Sequence, residues 1–183
     1  MASQQLIVFG GLPGTGKTTL ARAVARELRA VYLDKDTIKD EVVTLSRELK
    51  LDAGNQLAGP LSYMLLLPLA RDNLTLGQPV VIDSPAGYKL FQDRLEELVR
   101  DTKIDLKLIE CITTDEGLHL KRVEERAEGG LPEHRARDAE ALQQARARLE
   151  RLSGPRLVVD TAEPVAVNMP RIFRYLGIEE REA

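Results

Sequence analysis

The run Gly11-Leu12-Pro13-Gly14-Thr15-Gly16-Lys17-Thr18 constrains this chain more than any other stretch. It has the form G-x-x-x-x-G-K-[ST], the Walker A pattern of a phosphate-binding loop. Its flanks supply the context that such a loop requires. Leu6-Ile7-Val8-Phe9 reads as a short buried strand, and residues 19–30 read as a helix with Leu20, Val24 and Leu28 on one face. Gly11, Gly14 and Gly16 admit backbone conformations closed to residues with a Cβ. Successive N–H groups can then turn inward around phosphate oxygens, helped by the positive end of the helix. The pattern assigns Gly11, Pro13, Gly14, Thr15, Gly16, Lys17, Thr18 and Thr19 to nucleotide binding. Lys17 is expected to reach the terminal phosphates, and the Thr18 hydroxyl to hold Mg²⁺.

The rest of the chain alternates between short apolar runs and helical periodicity. Val31-Tyr32-Leu33, Val80-Val81-Ile82, residues 106–112 and Leu157-Val158-Val159 read as four further strands. Residues 37–50 read as a helix with Ile38, Val42, Leu45 and Leu49 inward. Gly54, Asn55, Gly59 and Pro60 predict a break over residues 52–60, followed by a helix over 61–76 with a kink or restart at Pro68. Residues 90–100 form an amphipathic helix with Leu90, Leu95 and Leu98 toward the core. Thr113-x-x-Glu116 has the form of a capping box opening a helix to about residue 128. After Gly129-Gly130 come a long charged helix over 133–152 and a last helix over 165–176. This alternation predicts one three-layer α/β domain over residues 1–183, with a five-stranded parallel sheet. Ligands of such sheets lie beyond the carboxyl ends of the strands, where the loop, Asp34, Asp36, Asp83 and Asp160-Thr161 all fall.

Chemistry follows from the residues at those ends. A phosphoryl acceptor needs a carboxylate to orient its hydroxyl and take its proton. Asp36 is chosen for that role; an Asp here could also simply cap the following helix. Asp34 and Asp83 are expected at the metal with Thr18, Asp83 in the manner of a Walker B carboxylate. Arg122 and Arg126 share a helix face, and Arg135 and Arg137 lie just past the glycine pair. A lid over residues 119–138, with Arg122 and Arg126 neutralising the transferred phosphoryl group, fits this placement. Tyr88 is a candidate for substrate contact or packing, and His119 and His134 are taken as surface residues. The acceptor region is expected over residues 36–64, with Asn55, Gln56, Ser62 and Tyr63 as its polar candidates.

Composition narrows the partners. The formal charge is −3, with no Trp, which argues against nucleic acid held by phosphate contacts or base stacking. Cys111 is the only cysteine and sits in an apolar run, as a buried structural thiol does. No segment approaches a membrane span and no leader is visible, so a cytoplasmic protein is expected.

Gly-Leu-Pro-Gly-Thr-Gly-Lys-Thr, Leu-Asp-Lys-Asp after the second strand, Val-Ile-Asp-Ser-Pro after the third, and the arginine-bearing helix with its Gly-Gly turn resemble the P-loop kinases of the AAA_33 type. That group is similar in layout to zeta toxins, chloramphenicol phosphotransferase, gluconate and shikimate kinases and the kinase domain of polynucleotide kinase. The resemblance implies strand order 2-3-1-4-5, ATP with Mg²⁺, an acceptor base matching Asp36, and lid arginines matching Arg122 and Arg126. It places adenine between Arg122 and residues 161–164. The Asn-Lys-x-Asp pattern of GTPases is absent, which favours ATP. The expected activity is transfer of a γ-phosphoryl group to a small-molecule hydroxyl. A polynucleotide 5′-kinase and a non-enzymatic ATP-binding switch are the alternatives.

Overall fold

The computed structural model describes residues 5–51, 54–129, 139–148 and 154–178. Five strands, β1 (Gln5–Gly10), β2 (Val31–Asp34), β3 (Val80–Asp83), β4 (Asp105–Ile112) and β5 (Arg156–Asp160), form one parallel sheet in the order β2-β3-β1-β4-β5. β1 lies at its centre, with Val8 opposite Ile82 of β3 and Leu108 of β4. At the carboxyl end, Asp34 of β2 and Asp83 of β3 are register partners. The expected strand count, direction and order are all present.

Both faces of the sheet are covered, so its strands read as unbroken apolar runs. Leu6 and Val8 of β1 point to one face; Ile7 and Phe9 point to the other. The first face packs with Val80, Ile82 and Leu108 against α3 (Gly54–Thr75) and α4 (Lys89–Thr102) through Leu66, Ala70, Leu74, Phe91, Leu95 and Leu98. The second packs with Val81, Ile109, Cys111 and Val159 against α1 (Lys17–Leu28) and α7 (Val165–Leu176) through Leu20, Val24, Ile172 and Leu176. A smaller cluster joins Val123 of α5 (Glu116–Gly129) to Leu142 of α6 (Ala139–Arg148) and to Leu12 in the glycine loop.

Several local expectations are corrected. The second helix, α2 (Lys35–Glu48), begins two residues early because the Asp34 carboxylate accepts the Asp36 N–H at 2.9 Å and caps it. It buries Lys35, Lys39, Val43 and Ser46, leaving Leu45 and Leu49 exposed, because its packed face is turned against α3. No break occupies residues 54–60. α3 runs through both Pro60 and Pro68, and burial of Ala58, Leu66, Leu67, Ala70 and Leu74 outweighs the local breakers. Leu90 is exposed, and Phe91 takes the inward position. The capping box is also absent. α5 starts at Glu116, and the Asp115 carboxylate accepts the Leu118 N–H at 2.9 Å, while the Thr113 hydroxyl pairs with Thr161 at 3.1 Å. Of the long charged helix only α6 lies within the described residues, and 130–138 lie outside them. Among the described residues, no helix is long and apolar enough to cross a membrane.

Cys111 is buried on the second face, and burial pushes its thiol up to about 12. The thiolate is the reactive form. The folded protein is therefore expected to resist iodoacetamide at pH 8, and to be modified once per chain after unfolding in guanidinium, as counted by intact-mass spectrometry.

Candidate active site

The loop between β1 and α1 is held from three sides. Gly11, Gly14 and Gly16 have φ of 134°, 78° and 72°. A Cβ on Gly11 would lie 2.2 Å from the Cys111 carbonyl oxygen at the end of β4, and one on Gly14 2.7 Å from Val123 Cγ2 in α5. Positive φ and close backbone approach thus both require glycine here. The Leu12 carbonyl turns into the loop and accepts from Thr15 Oγ1 and from Lys17 Nζ, both at 2.8 Å. Pro13, the next residue, has no N–H, so turning this carbonyl inward removes no phosphate donor. α1 begins at Lys17, and its N-terminal N–H groups face the same space.

A cleft of about 770 Å³ runs across this loop. Gly14, Gly16, Lys17, Thr18 and Thr19 form its middle. Asp34, Asp36 and Asp40 line one end; Arg122, Thr161 to Val165 and Asn168 line the other. The structure therefore brings most of the expected residues to one place. Arg122 donates from Nη1 to Thr161 Oγ1 and from Nη2 to Thr161 O, both at 3.0 Å, which joins α5 to the end of β5. The Arg126 side chain, Asn55, His134, Arg135 and Arg137 lie outside the residues whose side chains are described.

The acidic end has a definite arrangement. Tyr32 donates its hydroxyl to Asp83 Oδ2 at 2.9 Å, and Asp83 is only 3% exposed. Burial pushes the Tyr32 phenol up, reinforced by the charges of Asp83 and Asp34. Burial also pushes the Asp34 carboxyl up; the Asp36 N–H opposes this, and the neighbouring charges of Asp83 and Asp36 add to it. Arg22 Nη2 approaches Asp34 at 3.8 Å and does not relieve the crowding. Asp36, whose cap role Asp34 has taken, pairs with Lys35 Nζ at 3.2 Å. Among the described residues no group of three metal-ligating side chains occurs. Asp34 and Asp83 at adjoining strand ends, and Thr18, which lines the cleft with Asp34, nevertheless carry hard oxygen donors of the kind Mg²⁺ takes, with water completing its shell; Asp83 itself is not among the residues lining the cleft.

On the acceptor side the polar candidates separate. Ser62 is fully buried and donates to its own helix at Gly59 O, so it faces no ligand. Gln56 is exposed. Tyr63 stacks on Tyr88 at 5.1 Å and lies 5.4 Å beneath the Lys35 ammonium. Lys35 and Lys39, two of the basic residues that with Arg47 would receive a polynucleotide end beside Asp36, are both buried. His119 is not a surface residue: it is 2% exposed and hydrogen-bonded through Nε2 to Pro13 O at 2.7 Å. Its position one turn before Arg122 on α5 was the available signal, but only packing shows which way that face turns.

The AAA_33 family model, an AAA domain, matches residues 6–152. No curated protein matches the chain. Among solved structures, a candidate kinase from Chloroflexus aurantiacus is 25% identical, with 96% of this chain and 99% of that one covered at a TM-score of 0.73. A gluconokinase from Sinorhizobium meliloti is 20% identical, with coverage of 97% and 94% and a TM-score of 0.62. The Mycobacterium tuberculosis APS kinase, solved with AMPPNP and APS, is 19% identical, with coverage of 97% and 99% and a TM-score of 0.65. The fold is that of P-loop kinases.

Asp34 generates a stability prediction. Its folded carboxyl holds a proton more tightly than the unfolded one, so its titration favours the fold at low pH and opposes it as pH rises through the folded value. Asp34→Asn keeps the cap and removes the crowded charge. At pH 7.5 without ligand, this variant is expected to be more stable by about 1 kcal/mol, or about 2–4 °C in Tm. The gain should close as pH falls through the Asp34 titration. Calorimetric scans across pH check both the sign and the closure.

Proposed function

The chain belongs to the AAA_33 family, and we propose that it moves the γ-phosphoryl group of Mg-ATP to a hydroxyl of a small molecule. One observation carries this reading: a single cleft holds the phosphate loop with Lys17 and Thr18 beside the carboxylates of Asp34 and Asp36. A donor cradle and an acceptor base are the two halves of a transfer site. The relatives named as gluconokinase and APS kinase support a kinase with a small-molecule acceptor.

In this proposal Gly11, Pro13, Gly14, Thr15, Gly16, Thr18 and Thr19 bind the nucleotide phosphates, and Lys17 leaves the Leu12 carbonyl for the terminal phosphates. Arg122 and residues 161–164 flank the adenine end of the cleft. Thr18, Asp34 and Asp83 are the residues that would hold Mg²⁺. When bound, that ion neutralises charge on the β- and γ-phosphate oxygens. The acceptor oxygen bonds to the γ-phosphorus, the bond to the β–γ bridging oxygen breaks, ADP leaves, and the acceptor proton passes to Asp36. Arg126 would serve from a lid over residues 119–138, and residues 36–64 would bind the acceptor, both within one domain of residues 1–183. The proposed setting is the cytoplasm, where ATP is supplied and a lone cysteine stays reduced.

A second reading, a polynucleotide 5′-kinase, draws on one feature. A groove of about 830 Å³ between α1 and β2 carries Arg22, Arg26 and Arg29, and shares Arg22, Asp34 and Thr37 with the cleft. A strand of phosphates could lie along that row with its end at Asp36. Phosphate uptake by labelled oligonucleotides, weakened steeply by salt, would favour this reading.

The main test is ADP release with Mg-ATP against a panel of sugars, sugar acids, nucleosides and aminoglycosides. Wild-type protein is expected to show acceptor-dependent release. Lys17→Ala should abolish it through lost ATP binding. Asp36→Asn should lower turnover by about 10²–10⁴-fold while leaving ATP affinity near wild type. Undiminished turnover in that variant removes Asp36 as the base. Tight ATP binding with no transfer to any acceptor, oligonucleotides included, identifies a switch instead of a kinase.

A further inference from the structure

His119 stands outside the residues that the phosphate-loop pattern names, yet it touches that loop directly. It rises from the first turn of α5, is 2% exposed, and places Nε2 2.7 Å from the Pro13 carbonyl oxygen. A carbonyl only accepts, so Nε2 carries the proton and donates. The other ring nitrogen, Nδ1, is buried without a hydrogen-bond partner. An imidazole serving only as filler is a poor choice here. An apolar side chain would fill the space without an orphaned nitrogen, whose burial is costly. What the ring supplies is the single bond to Pro13.

That bond has a geometric consequence. In a trans peptide the C=O of one residue and the N–H of the next point in opposite directions. Drawing the Pro13 oxygen toward α5 therefore turns the Gly14 N–H away from α5 and toward the cleft that Gly14 lines. Gly14 sits at φ 78°, where the peptide on its amino side has no side-chain restraint of its own. The ring also packs against this turn: a Cβ on Gly14 would lie 3.1 Å from His119 Cδ2. Three residues on, Arg122 binds Thr161 at the far side of the cleft. The first half of α5 is thus fastened to both banks.

We propose that His119 is a positioning residue: through Pro13 it fixes the Pro13–Gly14 peptide so that the Gly14 N–H is aimed at a nucleotide phosphate before the nucleotide arrives. The proposal rests on the loop being a phosphate site. It makes preorganisation of the loop depend on α5 and not on the loop sequence alone.

The test uses the full chain with His119→Leu, which fills the space without a donor, and His119→Gln, which restores an N–H at similar reach. Affinities for ATP, ADP and adenosine are measured by calorimetry or ligand-observed NMR. The Leu variant is expected to lose about tenfold or more for ATP and ADP, equivalent to about 1.4 kcal/mol, with adenosine unchanged. The Gln variant should come within about threefold of wild type for all three. An unchanged ATP affinity in the Leu variant, an equal loss for adenosine, or a folded Gln variant as weak as the Leu variant overturns the proposal. A long-range ¹H–¹⁵N spectrum of the wild type tests it without mutation and covers the case where the Leu variant does not fold. The Nε2–H tautomer is expected, and the Nδ1–H tautomer overturns it. Wild-type protein that binds no ATP sinks the phosphoryl-transfer reading, while the tautomer still decides whether the His119–Pro13 bond exists.

Discussion

Everything in the site depends on a conformationally free stretch of backbone being held still. Residues 11–16 contain three glycines at positive φ, a conformation an isolated chain would not keep. Here it is kept by contacts from elsewhere. The end of β4 presses on Gly11, Val123 and His119 of α5 press on Gly14, and Thr161 after β5 lies against Gly16. The loop is therefore shaped by three separate elements, two of them at strand ends of the parallel sheet and the third the helix α5. This is why the site stands at the carboxyl edge of the central strand, where those elements converge.

The second constraint is charge. Asp34 and Asp83 are neighbours across β2 and β3; Asp83 is buried and Asp34 half-buried. Parallel register places them together because each is the last residue of its strand. Tyr32 caps one of them with a hydroxyl, and the backbone of α2 caps the other. Tyr32 and the backbone supply no full opposing charge, and the Arg22 guanidinium stands 3.8 Å from Asp34, so the like charges are only partly compensated.

Much of this was legible in the residues themselves. The loop was readable because its chemistry demands particular residue types at fixed spacing. The five strands were readable because sheets covered on both faces leave unbroken apolar runs. Helix boundaries and faces were less so. α2 turned its leucines outward because α3, distant in sequence at its far end, determined which side was packed. α3 ran through two prolines because burial of its inner face outweighed local preference. His119 looked like an unpartnered surface residue because its partner is a backbone carbonyl 106 positions away, and carbonyls leave no mark in a sequence.

The sequence by itself determined that a phosphate loop opens the chain, that five strands alternate with helices, and that acidic residues end the strands near that loop. Those are local properties, set by residue type and spacing. The tertiary structure decided that Asp34 and not Asp36 caps the helix, with both lining the cleft. It also decided that Arg122 closes on Thr161 and that α5 holds the loop through His119. These depend on packing between residues far apart in the chain, and a backbone oxygen or a buried face acquires a direction only once the sheet has brought its neighbours together.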